Sequence, residues 1–261
     1  MRMDILISGV CGRLGSLLYR LLQEGVPGFH AVGGIDPSAT PDSGFLTRPE
    51  DFAKHADGII DFSRADAAGP LCRFAVQRHL PLVVATTGHS ERQRQLLSQA
   101  AQVIPVFHTA NLSVGVALLT RLTAETAAAL PQADVEIVEC HRRGKLDAPS
   151  GTALALADTI CRVLPERYPH PGRSGTGQRD MREIGLHALR LGDRTGEHTV
   201  LFDTGDECIT LTHRAQTPRI YAYGALRAMA FLSGRGPGLY DMEDLLRDEV
   251  SFHDKKEEVI P

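Results

Sequence analysis

Apolar positions along this chain follow two rhythms. From the N-terminus to about residue 112, short apolar runs alternate with helix-like stretches. Residues 4–8 form a run suited to a buried parallel strand, and residues 16–22 are helical in composition. Residues 31–35, 58–63, 82–88 and 103–107 read as further strands, with helical segments over 65–79 and 90–101. Strands alternating with helices predict an open parallel sheet with crossover helices. Beyond Val114 the rhythm changes. Residues 114–129 read as a long Ala/Leu/Thr helix, 135–140 alternate like a half-buried strand, and 153–157 read as helix. After a Gly-rich connector at 171–177, residues 184–190, 199–202 and 208–212 look like strands with no helices between them. That predicts a mixed or antiparallel sheet, hence a second domain. Residues 222–232 are helical and small-residue-rich, expected to pack back on the first domain, and 251–261 read as a charged, frayed tail.

The first strand leads directly into Gly9, Gly12 and Gly15, with Arg13 and Leu14 between, and then into a helix. Strand, Gly-rich turn and helix form the context of a dinucleotide fingerprint: the backbone approaches a pyrophosphate and helix N–H groups meet its charge. The spacing here is G-x-x-G-x-x-G, which by itself suits either that site or a plain tight turn. Asp36 ends the second strand, about twenty residues on, where an acidic side chain accepts hydrogen bonds from the adenosine ribose. Its other reading is a loop or N-cap residue. An acid at this position repels the 2′-phosphate of NADP, and Pro37 and Ser38 leave only Arg13 as a substitute partner, so the sequence favours NADH over NADPH. The strand ends at 61–63, 86–88 and 109–113 are all polar, and together they predict a nicotinamide-side wall. The fold class read from these features is α/β: a Rossmann-like parallel-sheet domain over 1–112 and 222–261, and a central α+β substrate and oligomerisation domain over 113–221.

Candidate chemistry concentrates between Glu139 and Thr152. Glu139, His141, Arg142, Arg143, Lys145 and Asp147 lead into Pro149, Ser150, Gly151 and Thr152, and then into a helix. A cation-rich loop opening onto a helix N-terminus suits an anionic substrate. A net charge of −4 over 261 residues argues against general nucleic-acid or membrane-surface binding. No long apolar run of membrane-spanning length occurs, and the N-terminus lacks a signal-peptide layout, so a cytoplasmic protein is expected. Five scattered cysteines with no C-x-x-C pair argue against a zinc ribbon or dithiol motif, and Cys140 is expected to be a buried structural thiol. The eleven histidines suggest no metal site.

The motifs Gly9-x-x-Gly-Arg-Leu-Gly15, Ala85-Thr-Thr-Gly88 and Asn111-Leu-Ser-Val-Gly115 continue with Glu139-x-His141 and Lys145-x-Asp-Ala-Pro-Ser-Gly-Thr-Ala153. Glu183-Ile-Gly-Leu-His187, Gly196-Glu-His-Thr199 and Gly238-Leu-Tyr-Asp-Met242 complete a series running in order from about residue 4 to about residue 246. Together these resemble the 4-hydroxy-tetrahydrodipicolinate (dihydrodipicolinate) reductase family, DapB, of lysine biosynthesis. The resemblance implies NAD(P)H-dependent reduction of a small cyclic dicarboxylate, with loss of water, by a homotetramer built through the central sheet. It also implies His141 as proton donor/acceptor, Lys145 as second proton donor, and Ser150, Gly151 and Thr152 as the substrate-carboxylate site. The cofactor positions it implies are Gly9, Gly12, Arg13, Leu14, Asp36, Ala85, Thr86, Thr87, Thr109, Ala110, Asn111 and Leu112. Three residues depart from the family pattern. Arg142 replaces the second His of a His-His pair, at a substrate-binding position, where an arginine would grip a carboxylate bidentately. Ala85 replaces a Gly, and Leu112 stands where Phe is common. Arg142 keeps open a same-fold reductase of another cyclic imine or keto acid. A non-catalytic NAD(P)H-binding regulator is the remaining alternative, against which His141 and Lys145 both speak.

Overall fold

A computed structural model describes residues 2–248, and the tail expected over residues 251–261 lies outside them. The chain divides after Leu112 and after Pro218 into two compact units. One holds the described residues up to Leu112 together with those from Arg219 onward; the other runs from Ser113 to Pro218.

The first unit is a six-stranded sheet. Its strands are β1 (Met3–Ser8), β2 (Phe29–Ile35), β3 (Gly58–Asp61), β4 (Leu82–Val84), β5 (Pro105–His108) and β11 (Gly238–Tyr240), in the spatial order β11-β5-β4-β3-β1-β2. All pairings are parallel. Ile5, Leu6 and Ile7 are all fully buried, as expected of a parallel strand covered on both faces. The crossover helices are α1 (Arg13–Glu24), α2 (Ala68–Arg78) and α3 (Glu91–Ala100). α2 is preceded by a single 3-10 turn at Ala65–Ala67, so the helix expected over 65–79 is divided. α3 starts in a capping box: Ser90 accepts the Gln93 N–H, and the Gln93 side chain accepts the Ser90 N–H. One core cluster joins Leu71, Leu97, Leu82, Val106 and Ile59. The helix α6 (Arg219–Leu232) starts three residues earlier than its composition suggested, and it packs on β3, β4, β5 and α1. Its Ala222, Ala225 and Ala228 are fully buried, so small residues bring this helix close to its neighbours. Because the order of strands reverses between β1 and β3, the carboxyl ends of these strands flank a crevice, the usual ligand position in such sheets.

The second unit has five strands in the order β10-β9-β6-β8-β7. These are β6 (Asp134–His141), β7 (Tyr168–Pro171), β8 (Glu183–Arg190), β9 (Gly196–Asp203) and β10 (Cys208–Ala215). β6 pairs parallel with β8 and antiparallel with β9, and β9 pairs antiparallel with β10, so the sheet is mixed. β7 was not foreseen: it carries two prolines, which only an edge strand accommodates. The helices α4 (Val114–Ala129) and α5 (Gly151–Val163) cover one face. Alternation places Val135, Ile137 and Glu139 of β6 on that face, opposite Phe202, Val200 and His198 of β9. The face is therefore apolar at the start of β6 and polar at its end. Leu119, Leu156, Ile160, Ile184 and Leu186 complete the apolar part. Phe202 is fully buried there, and Phe202→Ala is expected to lower stability by about 3–5 kcal/mol, read by urea denaturation followed by circular dichroism.

Candidate active site

In the first unit the glycine turn is shaped by close backbone approach. Gly9 has φ 75°, and a Cβ there would lie 2.5 Å from the Ser63 nitrogen. A Cβ on Gly15 would run into the carbonyl oxygen of Gly9. Gly12 is the N-cap of α1 without any side-chain cap, which leaves first-turn N–H groups to meet an anion. Asp36 folds back onto this turn: Oδ2 accepts the Cys11 N–H at 3.1 Å, and Oδ1 accepts the Ser38 N–H and hydroxyl at 2.9 and 2.6 Å. Partial burial works against its charge, but these bonds outweigh it and hold the carboxyl below its ordinary range. A cleft of about 560 Å³ beside the turn is lined by Leu14, Ser63, Arg64, Ala85, Thr86 and Thr87, among others. Behind it, Thr86 Oγ1 lies 3.0 Å from Nε2 of the buried His89. Thr109–Leu112 follow β5; Thr109 Oγ1 accepts the Asn111 N–H, closing a small turn, and Leu112 is buried. The turn, the acid and the cleft fit a dinucleotide: glycines where a Cβ would collide, an open helix N-terminus, and a charged acceptor at the end of β2.

In the second unit the residues of the 139–152 stretch converge through the sheet. Glu139 is 1% exposed. Its Oε2 accepts from His141 Nδ1 at 2.5 Å and from Arg190 Nη1 at 2.9 Å. Its Oε1 accepts from Arg190 Nη2 at 2.7 Å and from the Ser150 N–H at 3.1 Å. Burial opposes the negative charge, yet Arg190, His141 and Ser150 together hold Glu139 below the ordinary carboxylate range. With Nδ1 committed to Glu139, His141 presents Nε2 on the other side of its ring, and among the described residues Nε2 has no hydrogen-bond partner. His141 stacks edge-on against His198, with centroids 5.1 Å apart.

Ser150 caps α5 by accepting the Ala153 N–H, and its hydroxyl lies 3.2 Å from His198 Nε2. The same construction recurs next door: Ser113 caps α4 by accepting the Val116 N–H and lies 3.3 Å from His213 Nε2. His198 and His213 face each other across β9 and β10. Burial, reinforced by the charge of His141, pushes His198 down to about 4. The loop preceding α5 closes on an ion pair, Lys145 Nζ to Asp147 Oδ1 at 2.9 Å. Lys145 and the Gly151 N–H hold Asp147 below its usual range, so its carboxylate sits at the α5 N-terminus. Arg142 is exposed, and its N–H donates to the Arg194 oxygen.

Residues 3–112 match the family profile "Dihydrodipicolinate reductase, N-terminus", and residues 115–246 match "Dihydrodipicolinate reductase, C-terminus". The chain belongs to the dihydrodipicolinate reductase family. A 4-hydroxy-tetrahydrodipicolinate reductase from Caldanaerobacter subterraneus subsp. tengcongensis is 42% identical over 250 residues, covering 95% of this chain and 99% of the relative. One from Akkermansia muciniphila is 41% identical over 248 residues, covering 93% of this chain and 97% of the relative. The solved structure of a dipicolinate-bound dihydrodipicolinate reductase from Paenisporosarcina sp. TG-14 shares the fold, with TM-score 0.74 at 22% identity, covering 92% of this chain and 98% of that one. Membership makes this chain an NAD(P)H-dependent oxidoreductase.

Within this reductase framework, the structure brings His141, Ser150, Gly151 and Lys145 around the start of α5, and Leu14, Ala85, Thr86 and Thr87 around one cleft. Thr109, Ala110, Asn111 and Leu112 do not line that cleft. Sequence reading did not single out Arg190 or Arg64. The structure gives Glu139 the bond to His141 and places His198 against that imidazole. Cys140 is buried on β6. Among the described residues, no group of His, Cys, Asp or Glu is arranged to hold a metal, and no helix is long and apolar enough to cross a membrane.

The depressed His198 gives a pH test. The unfolded imidazole takes its proton near 6.5 and the folded one only near 4. Below 6.5 the unfolded chain therefore binds more protons, and stability falls as pH drops toward 4. His198→Asn is expected to remove about 3 kcal/mol of that fall, measured as the difference between the two proteins' denaturation curves over this window. His213 is also lowered by burial and contributes a slope of its own to both proteins, which cancels in the comparison.

Proposed function

We propose that this chain reduces 4-hydroxy-tetrahydrodipicolinate to tetrahydrodipicolinate in lysine and diaminopimelate biosynthesis, in the cytoplasm, with NADH as preferred donor. The overall change adds one hydride and one proton to the substrate and releases one water. Bound dihydronicotinamide supplies the hydride. The observation that carries the reading is the imidazole of His141, held at Nδ1 by a buried carboxylate that also holds the Ser150 N–H at the α5 N-terminus, and free at Nε2. A general acid needs that arrangement: one nitrogen anchored, the other available, and a charge behind it to support the imidazolium.

In this reading His141 and Lys145 are the proton-transfer pair, and the Lys145 ammonium also stabilises developing negative charge. Arg142, Ser150, Gly151 and Thr152 bind the substrate carboxylates. Gly9, Gly12, Arg13, Leu14, Asp36, Ala85, Thr86, Thr87 and Thr109–Leu112 hold the nucleotide. The charge on Asp36 supports the NADH preference, because a 2′-phosphate beside it would be repelled. The face of the second sheet turned away from α4 and α5 carries Val138 and Thr199, with Leu189 and Leu191 each 45% exposed, which supports homotetramer assembly through that face. Arg142 favours the alternative of a different cyclic imine or keto acid, since it exchanges an imidazole for a larger, permanently charged group.

A coupled assay that generates the substrate in place tests both. Oxidation of NADH is expected, with NADPH used less well; no turnover with either cofactor sinks the assignment. His141→Gln and Lys145→Ala are each expected to lower kcat by about 100-fold or more. If either variant keeps near-normal kcat, that residue is not a proton donor.

A further inference from the structure

We infer that Arg190 is a positioning residue for the reduction: its guanidinium grips both oxygens of Glu139 and the main-chain oxygen of Asp147, and so sets the orientation of His141 and of the loop that carries Lys145. This rests on His141 and Lys145 being the proton-transfer pair. Arg190 lies directly across the parallel β6–β8 pairing from His141. Nη1 and Nη2 each donate to one oxygen of Glu139, at 2.9 and 2.7 Å, a planar fork on a planar carboxylate. Nη2 also donates to the Asp147 oxygen at 2.5 Å, and Nη1 to the Leu189 oxygen at 2.6 Å. The side chain is 17% exposed and its Nε is buried without a partner, so this is an interior clamp rather than a surface ion pair.

Each oxygen of Glu139 is shared between Arg190 and one part of the site. Oε2 serves Arg190 and His141 Nδ1, while Oε1 serves Arg190 and the Ser150 N–H that begins α5. Through Asp147 the same guanidinium reaches the partner of Lys145. A single side chain from β8 thus touches the supports of the proton donor, the carboxylate-binding helix and the second cation. The other charged or titratable groups facing this cluster are His198 on β9, His213 on β10, and Lys145 and Asp147 in the loop. His198 is neutral at pH 7, so among these groups Arg190 is the permanent cation bonded to Glu139.

The consequence is a division of the Glu139 charge. While Arg190 holds part of it, the bond to Glu139 orients His141 without the imidazole being the sole partner of that charge. Without Arg190, the imidazolium becomes the main compensation for a buried carboxylate, and the pair retains its proton to higher pH. The Lys145–Asp147 ion pair and the Ser150 cap of α5 do not include Arg190, so substrate binding is expected to change less than turnover.

The test compares kcat and KM across pH for the full chain and for Arg190→Met, Arg190→Gln and Arg190→Lys, with melting temperature recorded for each. In Arg190→Met, kcat is expected to fall about tenfold or more, KM to stay within about threefold, and the basic limb of kcat to move up by about one pH unit. Arg190→Lys restores the charge without the fork and is expected to return the limb to its wild-type position while recovering only part of kcat. If Arg190→Met does not fold, Arg190→Gln, which keeps an N–H donor and loses the charge, carries the same expectation. A variant that folds, loses activity equally at every pH and leaves the limb unmoved overturns the inference, since that is what a merely structural role produces. Unchanged kcat overturns it too. Wild-type protein that fails to turn over at all overturns the underlying assignment instead, so the two failures are distinct.

Discussion

A carboxylate as deeply buried as that of Glu139 keeps its charge only where other groups replace the water it has lost, and isolating such a charge costs several kcal/mol. Here the replacements come from three different parts of the second unit: the guanidinium of β8, the first N–H of the α5 cap and the imidazole two residues along β6. The requirement runs both ways. Glu139 is charged because these groups surround it, and each of them is oriented because Glu139 is charged. The apolar rows below, Val135 with Phe202 and Ile137 with Val200, set the register that delivers the polar row to the same depth. Core packing therefore specifies the site through strand pairing, and the electrostatics then hold its final geometry.

The first unit solves its problem by a different physical route. Its glycine turn depends on absence of side chains rather than on compensated charge: Gly9 against the chain at Ser63, and Gly15 against Gly9. Such contacts are local and steric, and they leave the first-turn N–H groups of α1 uncovered. Asp36 adds a charge whose three hydrogen bonds anchor it to the glycine turn and to Ser38. One unit is organised around close backbone approach and the other around a buried ion.

What the sequence made legible follows the same division. The glycine turn, the helix beginning at Gly151 and the alternation of strands and helices are encoded within a few residues of themselves, and they read directly. The roles of Arg190 and His198 did not read, because their partners lie far away along the chain: 51 residues separate Arg190 from Glu139, and 48 separate His198 from Ser150. Only strand register brings them together. Two strands were also hidden for local reasons. β7 contains two prolines that its edge position excuses, and β11 is three residues long, too short for any period to show. Asp147 is bound closer to home, by the Lys145 ammonium two residues before it and the Gly151 N–H four residues after it.

The paired histidines of β9 and β10 add a form of error-checking to this sheet. His198 touches the serine that starts α5, and His213 the serine that starts α4. A slip of either strand by one residue would turn its histidine to the opposite face and bring Glu197 or Thr199, or Thr212 or Arg214, toward the helices instead. Misaligned strands would thus be met by an unmatched helix end, and a miswound helix start by an imidazole with nothing to touch. Strand alignment and helix initiation vouch for each other at the end of the sheet that holds Glu139 and His141.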